Sequence, residues 1–290
     1  MLPRLDGAAL QLPVRASEGR TMTIRAAATL LAMAVAGSWG GLGRAGERRP
    51  AGRFGELAAA ETTAPTPERL TRDQVVAVLG RATSESPAQL VDKDLSGLDL
   101  SGLDFRRANL TRSRLLRTNL AKAEMFSATL SDAVANEANF EGATLDLAVM
   151  YRADLTRANL RGASLFAAIL IGATLSEADL TGARLISAMS NTKFARAKLR
   201  NANLGADPGN QPMGVMRTDA TGADFKGADF TGANLRKVNF TRADLTGADL
   251  TDADVTGADL RATILKAIRG RDRIRGLDRA LNVEQAISKD

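Results

Sequence analysis

Six aspartates in the C-terminal third of the chain are the residues whose type and spacing first suggest chemistry. They recur at intervals of five or fifteen residues, at Asp224, Asp229, Asp244, Asp249, Asp254 and Asp259. Carboxylates held close together can ligate calcium or act as a general acid and base. The nearby cations Lys226, Lys237 and Arg242 argue against a metal site, and acid–base catalysis also needs a pocket. We therefore predict no catalytic residue, no metal and no cofactor.

The composition also lacks the groups that most enzymes use. The chain of 290 residues contains no His and no Cys, so imidazole bases, thiolate nucleophiles, thiolate metal sites and disulfides are absent. Without these groups, the sequence predicts a protein that is not an enzyme.

The net charge of +6 lies at the two ends of the chain rather than in its middle, because residues 91–265 carry 21 basic and 21 acidic groups. A nucleic-acid-binding protein usually carries a basic stripe on its folded face, so no nucleic-acid partner is expected. One local cluster consists of Arg106, Arg107, Arg112, Arg114 and Arg117. We interpret this cluster as a solvated face, with contact to an anion as the alternative.

A period of five residues organises the chain from Leu95 to Leu265. In Ala153-Asp154-Leu155-Thr156-Arg157 and the units that follow it, Leu or Phe recurs at every fifth position. Ala lies two residues before that position without exception from Ala123 to Ala188, a run of 14. This period is neither that of a helix nor that of a strand. It indicates a repeat architecture in which each unit buries its apolar face against its neighbours.

The unit itself predicts three extended residues followed by a two-residue turn. Alternate residues of an extended segment share a face, so Ala and the central Leu or Phe point inward while the Asp or Asn between them points outward. Ala is needed where opposing walls approach closely, since a larger residue would overpack the core. The predicted inner ladder includes Ala153, Leu155, Ala158, Leu160, Ala163 and Leu165.

These units resemble the bacterial pentapeptide-repeat family, whose unit is A(D/N)LXX. The opening Asp94-Leu95-Ser96-Gly97-Leu98-Asp99-Leu100 and the tail Gly276-Leu277-Asp278-Arg279 resemble the ends of family members. The resemblance implies an all-β solenoid, a right-handed quadrilateral β-helix with four units per coil. About eight coils are expected from the repeat length, with short helical caps at both ends.

The segments outside the repeat differ in composition. Met22 precedes an apolar run of 11 residues ending in Ala34-Val35-Ala36, which is typical of a secretory signal peptide and too short for a stable membrane span. We predict an exported, periplasmic protein, with a cytoplasmic protein as the alternative. The predicted order is a leader at 1–21, a signal peptide at 22–45, a linker at 46–66, an N-terminal helical cap at 67–90, the repeat at 91–265 and a C-terminal helical cap at 266–290.

Both caps are predicted from short patterns. Thr71 and Gln74 form a capping box ahead of an apolar stripe, whose members are Val75, Val76, Val78 and Leu79. At the other end the sequence predicts a basic amphipathic helix from Ile268 to Ile287. The residues expected to cover the last coil are Ile268, Leu277, Leu281 and Ala286.

The repeat is interrupted at two places. From Leu185 the next good central residue is Phe194, nine residues on rather than ten, and we place this fault at Met189-Ser190-Asn191. From Leu204 the next centre is Ala220, and the Pro- and Gly-rich stretch between them predicts a loop at 205–218. The repeat then returns to its original phase, which indicates one continuous solenoid.

One side of the predicted solenoid is apolar where the outward residues should be polar. Residues 20 apart share a column, and the apolar outward residues are Phe126, Leu147, Val149, Tyr151, Phe166, Ile169, Ile171, Ile186 and Met189. Contiguous apolar patches of this kind usually mark a contact. Four alternatives are open for what covers this patch: the loop 205–218, a terminal segment, a protein partner, or a second copy of the chain in a homodimer.

The sequence therefore predicts an interaction scaffold without catalytic activity, whose apolar patch contacts a protein. The alternative is a DNA mimic that modulates gyrase, a role that the resemblance brings with it. A DNA mimic needs a strongly acidic surface, which the neutral repeat does not offer, and export would separate the protein from gyrase.

Overall fold

The computed structural model describes residues 66–206 and 216–288. The predicted leader and signal peptide, nearly all of the linker, and residues 207–215 of the predicted loop lie outside these ranges. Among the described residues, no helix has both the length and the apolar character needed to cross a membrane.

Single parallel bridges between successive coils build the repeat. The N–H of Leu130 donates to the carbonyl of Val149 on the next coil at 2.7 Å, and the N–H of Val149 donates back to Ala128 at 2.9 Å. Most bridged partners are 20 residues apart, and the four columns of bridges begin at Gln89, Asp94, Asp99 and Asp104. Four columns make a four-sided parallel solenoid, which confirms the expected β-helix.

The core consists of the two inward positions of each unit. The predicted ladder is buried throughout, at Ala153, Leu155, Ala158, Leu160, Ala163 and Leu165. Ser or Thr replaces Ala at a few inner positions, and Thr118 then donates its hydroxyl to the carbonyl of Leu95 at 2.9 Å. This bond compensates for the desolvation of the Thr118 hydroxyl, whereas the hydroxyls of Ser113 and Ser187 are buried without a hydrogen-bond partner in the part of the chain that the structure describes.

The polar residues of the unit shape its turns. The carboxylate of Asp244 accepts hydrogen bonds from the N–H of Thr246 at 2.9 Å and from its hydroxyl at 2.6 Å. The second turn residue adopts a positive φ in nearly every unit, as at Gly247 and Arg242. The spacing of Asp and Thr therefore has a structural explanation, since a side chain that bonds the turn backbone stabilises the turn.

These turns make stability depend on pH. Burial alone would raise the pKa of Asp219, but hydrogen bonds from Thr221, Ser190 and Asn239 outweigh it and lower the pKa. A carboxyl whose pKa is lower in the folded state stabilises the fold above its unfolded pKa, and that stability is lost as the pH falls through the folded pKa. The free energy of unfolding in urea is expected to be flat near pH 7 and to decline below about pH 4.

The matched variant is Asp219→Asn. Asn occupies the same position at Asn239, where it accepts from the N–H of Thr241 at 3.1 Å, so the turn is kept while one titration is removed. A shallower acid decline in the variant is expected, and an identical decline would contradict this account.

A short strand and a helix precede the first coil. Strand β1 (Glu68–Arg69) pairs in parallel with β2 (Lys93–Asp94), and helix α1 (Arg72–Gly80) lies between them in sequence. The capping box is present, with Gln74 N–H donating to the Thr71 hydroxyl at 3.3 Å. Val75 is buried against the core, whereas Val76 is 38% exposed and does not belong to the buried stripe.

The phase fault lies earlier than the sequence indicates. Ile169 bridges to Ala188, and the next inward centre is Met189, only four residues after Leu185. Ser187 takes the inner position and is buried, while Ala188 faces outward. The placement at Met189-Ser190-Asn191 is therefore wrong.

The structure describes the chain up to Ala206 and again from Met216. Bridges from Ala188 to Asp219 and from Lys193 to Asp224 continue the columns across this interval. The hydroxyl of Thr218 donates to the carbonyl of Leu204 at 2.7 Å and so links the segments that precede and follow residues 207–215.

The C-terminal segment forms a further coil instead of the predicted amphipathic α-helix. Three 3₁₀ turns, at Arg271–Arg273, Leu277–Arg279 and Val283–Gln285, separate bridging residues six apart. Each turn follows a residue with positive φ, at Gly270, Gly276 and Asn282. Leu281 is a bridging residue and is 52% exposed, so its predicted capping role is wrong.

Candidate interaction surface

The column of bridges that starts at Gln89 carries the apolar residues. Val149 and Ile169 are bridged partners in this column, where half of the bridging residues are Asp, Asn or Thr. The turns on its two sides add further apolar side chains. We call the following set the apolar wall: Phe126, Leu147, Val149, Tyr151, Phe166, Ile169 and Ile171. All seven are partly or well exposed.

Two residues predicted for this surface do not belong to it. Met189 is fully buried because the four-residue interval moves it to the inward centre. Ile186 is 1% exposed and lies within that shortened interval. We attribute its burial to the missing residue, which leaves less chain to project a turn. The fault therefore ends the apolar wall one coil earlier than the sequence predicts.

Leu147 is the second residue of its turn, a position whose backbone conformation disfavours a residue with a side chain. Its φ is 60°, in the left-handed region, and its N–H donates to the carbonyl of Phe166 at 2.9 Å. The left-handed conformation costs a residue with a side chain about 1 to 2 kcal/mol. Gly142 and Gly162 hold equivalent turn positions without that cost. The second turn residue of most other units shares this conformation, so Leu147 stands out only because an apolar side chain there is 38% exposed.

Two polar residues complete the wall and were missed in the sequence. Asp146 lies between Phe126 and Phe166 in their column, and its carboxylate accepts from the N–H of Phe166 at 2.9 Å and from the hydroxyl of Ser164. The guanidinium of Arg184 lies 4.0 Å above the ring of Phe166, a cation–π contact. Counting in twenties would have found Arg184, because Ser164 bridges to it beside the turn that holds Phe166.

The wall opposite the apolar wall carries ion pairs. We define it by the bridge column from Asp99 to Arg269 and its adjoining turns. There Arg117 and Arg157 both pair with Glu137, at 2.7 and 3.2 Å. The hydrogen bond from Arg117 holds the pKa of Glu137 below its ordinary value. Ion pairs between coils therefore cover that wall, whereas the apolar wall exposes hydrocarbon at the same height.

The acidic ladder has a structural explanation too. Lys226 pairs with Asp244 at 2.9 Å and with Asp224 at 3.4 Å. Thr residues bond three further carboxylates of the ladder, and Asp259 accepts from the N–H of Arg261 at 3.1 Å. Across residues 66–206 and 216–288, no group of three acidic side chains could hold a metal ion.

The family of the chain follows from its repeats. A family model described as pentapeptide repeats matches in eight copies, which together cover more than half of the chain, at residues 88–125, 123–162, 158–189, 168–205 and 223–261. The chain belongs to the pentapeptide repeat family. A search of curated proteins found no match.

Solved structures of other pentapeptide repeat proteins are similar to it. HetL, involved in heterocyst differentiation regulation in the cyanobacterium Nostoc sp., is 26% identical with a TM-score of 0.45, covering 75% of this chain and 94% of HetL. QnrB1, a plasmid-mediated fluoroquinolone resistance protein, is 17% identical with a TM-score of 0.41, covering 68% and 92%. A protein of the Arabidopsis thaliana thylakoid lumen is 30% identical with a TM-score of 0.16, covering 40% and 72%.

Proposed function

We propose that this pentapeptide repeat protein is a scaffold without catalytic activity that presents the apolar wall to a protein partner. The scaffold is a right-handed quadrilateral β-helix of about eight coils, as expected from the repeat length, with a helical cap ahead of its first coil. The observation that carries the proposal is the apolar wall itself, with Leu147 exposed in a left-handed turn. Partner contact is the role that accounts for this wall, because contiguous exposed apolar patches usually mark a contact.

The composition of the wall supports contact with protein. Aromatic side chains are favoured at the centres of protein interfaces, and Phe126, Tyr151 and Phe166 lie on three successive coils. Export through residues 22–45 is part of the proposal, and cell fractionation with an antibody against the chain tests it. A DNA mimic gains no support here, because residues 91–265 are electrically balanced.

Phe166→Asp is expected to reduce capture of the partner by about 30-fold, because a charge would be desolvated at the centre of the interface. The measurement is affinity capture with the full chain, quantified by mass spectrometry. The matched control is Leu116→Asp, since Leu116 is a partly exposed first turn residue outside the apolar wall. Equal capture by both variants would refute the proposed surface.

The variant Leu147→Gly separates partner binding from stability when capture and the free energy of unfolding are both measured. Gly accepts the positive φ without strain, so the free energy of unfolding is expected to rise by about 0.5 to 1 kcal/mol while capture falls. A variant that loses both stability and capture would show that Leu147 serves the fold instead.

A further inference from the structure

Two groups of three cations lie on the apolar wall's column and its adjoining turns, one towards each end of the repeat. The N-terminal group is Arg106, Arg107 and Arg112, and the C-terminal group is Arg236, Lys237 and Arg242. Each member of one group holds the same turn position as a member of the other: Arg107 and Lys237 both have positive φ immediately before an inward residue. All six side chains are exposed. We call them the flanking cations.

Half of the flanking cations have no ion pair. Arg106, Arg112 and Arg236 pair with Asp104, Asp92 and Asp254. Arg107, Lys237 and Arg242 have no carboxylate partner among the residues that the structure describes. On the opposite wall several cations pair with acids of a neighbouring coil, although Lys122 there has no ion pair among the described residues. The flanking cations are set apart by their arrangement in two matching groups towards the ends of the apolar wall.

Between the two groups, the wall carries no excess charge, because its three acids are matched by three bases, namely Asp132, Asp146 and Asp219 against Arg152, Arg184 and Arg217. Arg152 pairs with Asp132 at 2.7 Å, and the carboxylate of Asp146 bonds Ser164 and the backbone of Phe166. Asp219 accepts from Ser190 and Thr221. The surface thus has an apolar, neutral centre and two basic ends.

The distance between the two groups of cations sets the length of a partner that can contact both. Six bridge steps separate Asn109 from Asn239, the bridging residues beside the two groups. At about 4.8 Å per step this is about 29 Å. A helix of about 19 residues spans the same distance.

We propose that the apolar wall receives a protein partner whose apolar contact surface carries acidic groups on both sides. The inference rests on the proposed function and adds the chemistry of the partner. A second copy of the chain fits poorly, because any two-fold pairing of this wall, parallel or antiparallel, opposes basic ends with basic ends. Duplex nucleic acid would press phosphates onto the neutral centre. Half-buried rings such as Phe126 and Phe166 do not project as an interfacial membrane anchor requires.

Two labelled peptides of about 24 residues test the proposal against the full chain. Both have the same amphipathic Leu- and Phe-containing centre, and their ends carry either Glu or Lys. Fluorescence anisotropy is expected to show at least about tenfold tighter binding of the Glu-ended peptide at low salt, with the preference shrinking as salt rises. The double variant Arg107→Glu/Lys237→Glu is expected to remove that preference.

Lys122→Glu is the matched control, because Lys122 is an exposed second turn residue with positive φ on another corner. It should change affinity less than twofold. No preference for the Glu-ended peptide, or a preference that survives the double variant, overturns the proposal. If Phe166→Asp still weakens both peptides in that case, the proposed function stands without this refinement. Tighter binding to phosphatidylserine vesicles or duplex DNA, or a dimer that Phe166→Asp dissolves, also overturns the proposal.

Discussion

Replacing Phe225 by Ala is expected to lower the free energy of unfolding by about 3 to 5 kcal/mol, as for other buried aromatic residues. The ring of Phe225 is fully buried and stacks on Phe194 with centroids 4.9 Å apart. It also meets Phe230 and Phe240 edge to face, at 5.1 and 5.9 Å. Removing it leaves a cavity that three neighbouring rings cannot fill without leaving their own contacts.

The position of this ring enlarges the effect. Phe194 precedes residues 207–215 in the chain and Phe225 follows them, so the stacked pair joins the coils that come before and after these residues. In a solenoid, stability depends on the contacts between neighbouring coils. Urea unfolding followed by circular dichroism measures the loss. Phe126→Ala is the control, since Phe126 is partly exposed, and an equal loss there would contradict the account.

The second large effect is expected for Ala183→Leu, which should destabilise the fold by about 1 to 3 kcal/mol. Ala183 is fully buried at an inner position, and its carbonyl accepts the N–H of Asn203 at 2.8 Å. Three added carbon atoms have no space there, so walls held by short hydrogen bonds must separate.

Ala188→Leu is the decisive comparison for this prediction. The five-residue series places Ala188 on the inner ladder with Ala183, whereas the structure places it outward as the bridging partner of Ile169. The melting temperature of Ala188→Leu is therefore expected to stay close to that of the wild type, because surface changes usually alter stability by less than about 0.5 kcal/mol. An equal loss of stability in the two variants would indicate that the phase fault lies at Met189-Ser190-Asn191 after all.

The inner ladder and the fold class were predictable because each unit repeats the same local environment. Ala158 and Leu160 face inward because they are alternate residues of an extended segment, as in every other unit. The period of five shows this directly. The apolar wall was predictable for the same reason: a fixed coil length converts sequence distance into columns, so Val149 and Ile169 could be stacked by number.

The capping box at Thr71 and Gln74 was also readable, since it is a local pattern. The end of the chain was not. A spacing of six between Arg269, Arg275 and Leu281 allows the chain to continue the bridge columns through 3₁₀ turns. The pattern of basic and apolar residues, taken alone, favours a helix.

Sequence alone determined what every regular unit does: which residues are buried, which shape turns and which face solvent. Tertiary structure decided the units where the period fails. At the four-residue interval after Leu185, two phases are compatible with the residue types, and only bridging to the neighbouring coils selects Met189 as the inward centre. The contact of Arg184 with Phe166 was decided in the same way, because residues on adjoining coils meet only once the coils are stacked.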